Sequence, residues 1–154
     1  MSCDAVALAA TLWLAASPAA PPPTSAVATP PSVASEPLFA DIVRRAGALK
    51  DETQAYEKAP LDAGATQLRD FASFETQVRA LSDLDMQGHV VLVNRGVTDD
   101  LKCILKGISQ DLPVKLKALE DAPNPKSRHD ALQDMFYLLR DNVEVITSPP
   151  QPAA

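Results

Sequence analysis

Apolar residues recur at steps of three and four in four separate stretches of this chain, the spacing that gathers side chains on one face of an α-helix. The first stretch opens at Ser35-Glu36-Pro37, where a hydroxyl suits a cap and an early proline suits the donor-poor first turn. Phe39, Ile42, Ala46, Leu49, Thr53 and Tyr56 form its stripe, and Pro60 closes it. The second takes Asp62 as its cap and aligns Leu68, Phe71, Phe74, Val78 and Leu81. Its stripe falters between Asp83 and Gly88, and Val90-Val91-Leu92-Val93 is β-branched enough to suggest a strand. A lone strand needs a partner, and the only other candidate, Val143 to Thr147, continues a helical stripe. The helix is therefore expected to run on, bent at Gly88, to about Arg95, with Gly96 as its left-handed terminator.

Thr98-Asp99-Asp100 gives the third stretch the strongest start, a capping hydroxyl with two carboxylates at the positive end of the helix dipole. Leu101, Leu105, Ile108, Leu112, Leu116 and Leu119 line one face as far as Asp121-Ala122-Pro123. Pro113 lies inside this run, deletes the amide that would bond the carbonyl of Ser109, and predicts a kink. The fourth stretch opens at Ser127 with Asp130 three residues on, a capping box with a shorter acid. Leu132, Met135 or Phe136, Leu139, Val143 and Ile146 form its stripe, and Tyr137 and Leu138 widen it, the mark of a central or self-associating helix. Four stripes of similar length joined by short connections bury one another in a small antiparallel four-helix bundle, so the fold class expected is all-α.

The charge distribution separates this domain from what flanks it. Asp4 is the only charged side chain before Glu36, and no basic residue precedes Arg44. Residues 5 to 16 read AVALAATLWLAA, too short to span a bilayer comfortably and the right size for a signal-peptide core, with small residues following at Ser17-Pro18-Ala19. The basic residues that normally precede such a core are missing. Two explanations stand: a start upstream of Met1, or an alanine-rich tail that is not a leader at all. Residues 20 to 34 are a Pro/Ala-rich disordered linker, residues 35 to 148 the helical domain, and residues 149 to 154 a tail broken by prolines. A leader over residues 1 to 19 implies a periplasmic or secreted protein with no stable membrane span in the mature form, whereas a mere tail implies a cytoplasmic one.

Composition narrows the function classes. The domain is acidic with mixed signs, and its longest basic features are Arg44-Arg45 and the pair Lys115, Lys117, so no stripe exists to displace counterions from a nucleic acid. Ligands that helical bundles commonly use are few: His89, His129, Met86, Met135 and Cys103. Cys103 is followed by Ile104 and Leu105, which rules out a c-type haem attachment, and the residues three before the histidines are Met86 and Lys126, which rules out the Glu-x-x-His pattern of di-metal bundles. A b-type haem held by one of these histidines and one methionine is the alternative left open; no cofactor is needed for stability. Cys103 reads as a small half-buried hydrophobe or, in an oxidising compartment, as an intermolecular disulfide partner.

No nucleophile has a recognisable base and orienting group, so the chain leans away from catalysis. The densest polar-plus-apolar stretch places Asp99, Lys102, Cys103, Lys106, Gln110 and Asp111 away from the leucine stripe, a candidate interaction surface beside a solvated-face reading. The function expected is an exported, non-enzymatic helical binding or protein-interaction module, with a protein partner or a second copy of itself docking on it.

Overall fold

The computed structural model describes residues 33–60, 68–97 and 100–148, all within the unit that begins at Pro31. A 3₁₀ turn, Val33–Ser35, leads into α1, Pro37–Glu57; α2 spans Phe71–Asn94, α3 Leu101–Glu120 and α4 Pro125–Thr147. No strand occurs among the described residues. Each helix packs on its sequence neighbours, and α1 also packs on α4, closing a ring of four. The directions alternate. Glu36 before α1 meets Arg95 after α2, Ser82 and His89 of α2 meet the Ser109 and Lys102 carbonyls of α3, and Lys115 of α3 meets Asp134 of α4. Arg128, in the first turn of α4, reaches the Pro60 carbonyl beyond the end of α1.

The buried seams follow the sequence periodicity closely. On α1 the buried positions are Phe39, Ile42, Ala46, Leu49, Thr53 and Tyr56, alternating steps of three and four as in coiled-coil packing. On α2 the same alternation runs Phe71, Phe74, Val78, Leu81, Asp85, Gly88, Leu92 without a break. The expected faltering after Asp83 does not occur, because the seam continues through an acid and a glycine. The valines that suggested a strand lie inside α2: Leu92 is buried, whereas Val90 and Val93 are each 47% exposed. Gly96 ends the helix with φ 68°, the left-handed conformation expected of it.

Several boundaries differ from expectation. Glu36, not Ser35, occupies the cap of α1, and its carboxylate turns to Arg95 rather than to the first turn. The second helix starts at Phe71, too late for Asp62, which lies outside the described residues, to cap it. Asp70 occupies the cap position instead, with no side-chain capping bond and φ 56°, a left-handed position that a short polar side chain tolerates better than most. Leu68 is buried just ahead of the helix. The cap of α3 is Asp100, whose side chain makes no capping bond; Thr98 and Asp99 lie outside the described residues.

At α4 the cap is Asn124, with Pro125 in the first turn. Its Oδ1 accepts from Ser127 N at 2.9 Å and from the Ser127 hydroxyl at 3.1 Å. The hydroxyl expected to cap is therefore itself a donor to the cap, and Asp130 pairs with Lys126. The α4 seam runs Leu132, Met135, Leu139, Asn142, Ile146, so Met135 rather than Phe136 is the core residue, and Asn142 takes the position expected for Val143.

Candidate functional site

Two polar seam positions that the apolar pattern did not reveal face each other. Asp85 on α2 and Asn142 on α4 are both 0% exposed, and Asn142 Nδ2 donates to Asp85 Oδ2 at 2.8 Å. Since α2 and α4 are opposite corners of the ring, this bond crosses the bundle interior. Each position is reached by the same three-and-four stepping that places its neighbours: Leu81, Asp85, Gly88 on one helix and Leu139, Asn142, Ile146 on the other. Asp85 Oδ1 and Asn142 Oδ1 have no hydrogen-bond partner among the described residues. Burial pushes the Asp85 carboxyl up to about 7, against the opposing effect of the Asn142 amide, which by donating favours the ionised form.

The surroundings give the charge no relief. Other polar side chains buried in the bundle are committed locally: the Thr53 hydroxyl to the Leu49 carbonyl, the Ser109 hydroxyl to the Lys106 carbonyl, and Arg128 to the Pro60 carbonyl at one end. One turn from Asp85, a Cβ added to Gly88 would stand 3.1 Å from Leu105 Cδ1 and 3.3 Å from Phe39 Cε1. The α2 backbone thus comes close to α1 and α3 here, and glycine permits the approach.

Two further polar groups of α2 flank the pair and bind α3. The Ser82 hydroxyl donates to the Ser109 carbonyl at 2.7 Å. That carbonyl is the one Pro113 leaves without its helical amide, so a side chain from the neighbouring helix repairs the interruption. His89 Nδ1 lies 2.6 Å from the Lys102 carbonyl, and the nitrogen carries its proton where it donates to that oxygen.

The residues singled out from sequence differ in exposure. Lys102 is partly buried and its ammonium donates to the Val97 carbonyl at 2.6 Å; Cys103 is partly buried. Lys106, Gln110 and Asp111 are exposed on α3, and Asp99 lies outside the described residues. Of the possible axial ligands, Met135 is fully buried in the core, Met86 partly, and His129 is exposed in the first turn of α4. Among the described residues no group of three or more His, Cys, Asp or Glu side chains could hold a metal ion. A solvent-open depression lined by Leu68, Asp70, Phe71, Ala72, Glu75 and Glu120 holds three carboxylates: Glu75 and Glu120 turn to Arg79, and Asp70 to Arg69.

The surface of α4 carries a different kind of group. Phe136 stands edge-on to Tyr137 at 5.7 Å between ring centroids, and the Arg140 guanidinium lies 4.9 Å above the Tyr137 ring. Tyr137 is 49% exposed, and Phe136 is half-buried. No described helix is long and apolar enough to cross a membrane. A scan against protein-family models finds no match for this chain, and searches of curated proteins and of solved structures find none either.

Proposed function

We propose that this chain is an exported, non-enzymatic helical interaction module that associates with a second copy of itself through the outward surface of α4. The observation carrying the reading is the Phe136, Tyr137, Arg140 cluster. Aromatic rings and arginine are the side chains on which interface energy concentrates, the rings because they bury much area with few rotatable bonds and arginine because its planar guanidinium both hydrogen-bonds and stacks. Arg140 also bonds Asp141 at 2.9 Å, so its guanidinium is oriented before any partner arrives. On α3, Val114 is 62% exposed and Lys106, Gln110 and Asp111 are polar, a composition suited to the rim of such a surface.

Sedimentation equilibrium of the helical chain over a wide concentration range tests the association. Self-association that Tyr137→Glu abolishes, with helix content unchanged, supports the reading. A protein that stays monomeric, or a dimer indifferent to Tyr137→Glu, refutes it. Export rests on the apolar run over residues 5 to 16 and the small residues after it. Mass spectrometry of the protein purified from its native cells should find the N-terminus cut near Ala19; an intact leader on the mature product removes the export half of the proposal.

A further inference from the structure

The acid and amide in the bundle interior are unequally matched as they stand. Between them Asp85 and Asn142 bring four hydrogen-bonding atoms to the interior, of which Nδ2 and Oδ2 satisfy each other and two Oδ1 acceptors remain without a donor among the described residues. A second amide proton from Asn142 cannot serve its own oxygen. One added proton changes both orphans at once: placed on Asp85 Oδ1 it turns that atom into a donor, and Asn142 Oδ1 is the acceptor on the group already bonded to it.

We propose that Asp85 is carried in the folded bundle as the neutral carboxylic acid, closing two opposed hydrogen bonds with Asn142, and that this acid–amide pair is a proton-controlled latch joining α2 to α4. Burial of the carboxyl, which pushes it up to about 7, agrees with this assignment. The charges facing it support it too. The α1 seam from Phe39 to Leu49 is apolar, the α3 seam offers Leu105, Ile108, Leu112 and a Ser109 hydroxyl already used, and the α4 seam offers Met135, Leu139 and Ile146. On α2 itself Asp83, two residues away, is exposed, and His89, one turn on, turns to the Lys102 carbonyl of α3. Arg128 is the buried cation of the bundle among the described residues, and it is spent on Pro60 at the end of the structure.

An ionised Asp85 would therefore sit in the interior with a single neutral donor, and opening of the helices to hydrate it becomes easier as protons are withdrawn. The latch is tightest in mildly acidic solution. Between the pH at which a free aspartate ionises and the pH at which this one does, each unit of pH multiplies the opening equilibrium by about ten, with no further change above about pH 7.

The test uses the full chain and two readouts. Carboxyl ¹³C NMR, with the Asp85 signal assigned by its disappearance in Asp85→Asn, should show a midpoint near neutrality. Hydrogen exchange of the amides around residues 85 and 142, corrected for intrinsic base catalysis, should accelerate about tenfold per pH unit from about pH 5 to 7 in the native chain. It should stay flat in Asp85→Asn, whose amide mimics the protonated acid and donates to Asn142 permanently. A carboxyl that titrates near the ordinary aspartate value overturns the proposal, including the case in which buried water stabilises the ion. So does the same acceleration in Asp85→Asn. Should that variant fail to fold, the exchanged pair Asp85→Asn with Asn142→Asp keeps one acid opposite one amide and must retain the pH response; its loss, like an ordinary midpoint in the native chain, counts against the latch.

Discussion

Removing both members of the interior pair should abolish most of the pH dependence of stability near neutrality. The perturbation is Asp85→Leu combined with Asn142→Leu, which replaces two fully buried polar side chains with apolar ones of the same branched shape. Its magnitude follows from the carboxyl, which burial raises from the ordinary 3.8 to about 7. The folded chain then binds the proton more tightly than the unfolded one. Between about pH 4 and 7 the native state holds more protons, so stability is fully present below that window and is lost as the pH rises through it. Three decades of proton affinity, at about 1.4 kcal/mol per decade, amount to about 4 kcal/mol, a large share of the 5–15 kcal/mol that is roughly typical of a domain. The acid side has the opposite sign. Arg95 holds the Glu36 carboxyl below its ordinary range, and Arg45 and Arg44 do the same for Asp41. Those contributions vanish as the pH falls below about 4, so native stability should peak near about pH 4 to 5. Urea unfolding followed by far-ultraviolet circular dichroism across this range is the assay. The native chain should lose midpoint steadily toward neutrality, while the double variant stays nearly level and is at least as stable at about pH 8. A native chain whose stability is flat over that interval, or a double variant with the same slope, refutes the reasoning.

Four other outcomes are expected from the same melts. Gly107→Ala, where an added Cβ meets nothing within 4 Å, should stabilise α3 by about 0.5–1 kcal/mol through helix propensity. Gly88→Leu, placed where even a Cβ crowds Leu105 and Phe39, should cost at least about 1–3 kcal/mol. Asn124→Ala, which removes the acceptor for Ser127 N, should cost about 1 kcal/mol, whereas Ser127→Ala, losing only a donor to that cap, should cost less. Ser82→Ala should cost about 1–3 kcal/mol by stranding the Ser109 carbonyl, and Pro113→Ala should rescue most of that loss by restoring the amide four residues on. Equal effects of Ser82→Ala in the two backgrounds would show that the hydroxyl is not the proline's compensation.

The legible part of the fold was the part written in local periodicity. Every buried position on α1 was identified beforehand, from Phe39 to Tyr56, as were the leucine seam of α3, the left-handed Gly96 and the interruption at Pro113. Caps were less legible. Asn124 and Ser127, three residues apart, are both capping types, and which of them caps depends on where the chain enters the helix. Asp85 and Asn142 were overlooked because a polar residue on a helical seam reads as a break in the pattern; Asn142 lost its place to the adjacent Val143 for that reason. The α3 surface from Lys102 to Asp111 stood out because it is dense in functional groups; the structure leaves Lys106, Gln110 and Asp111 exposed and Lys102 and Cys103 partly buried.

By itself the sequence determined that this chain makes helices, where their apolar faces lie, and that four such faces must cover one another, because spacing along a helix fixes direction around it. Only the tertiary structure decided that an acid could lie on one of those faces. The desolvation of Asp85 is offset in part by an amide 57 residues away, and no local pattern shows that the two will meet across the bundle. The same holds for Ser82, whose purpose appears only when α3 brings the carbonyl orphaned by Pro113 alongside it.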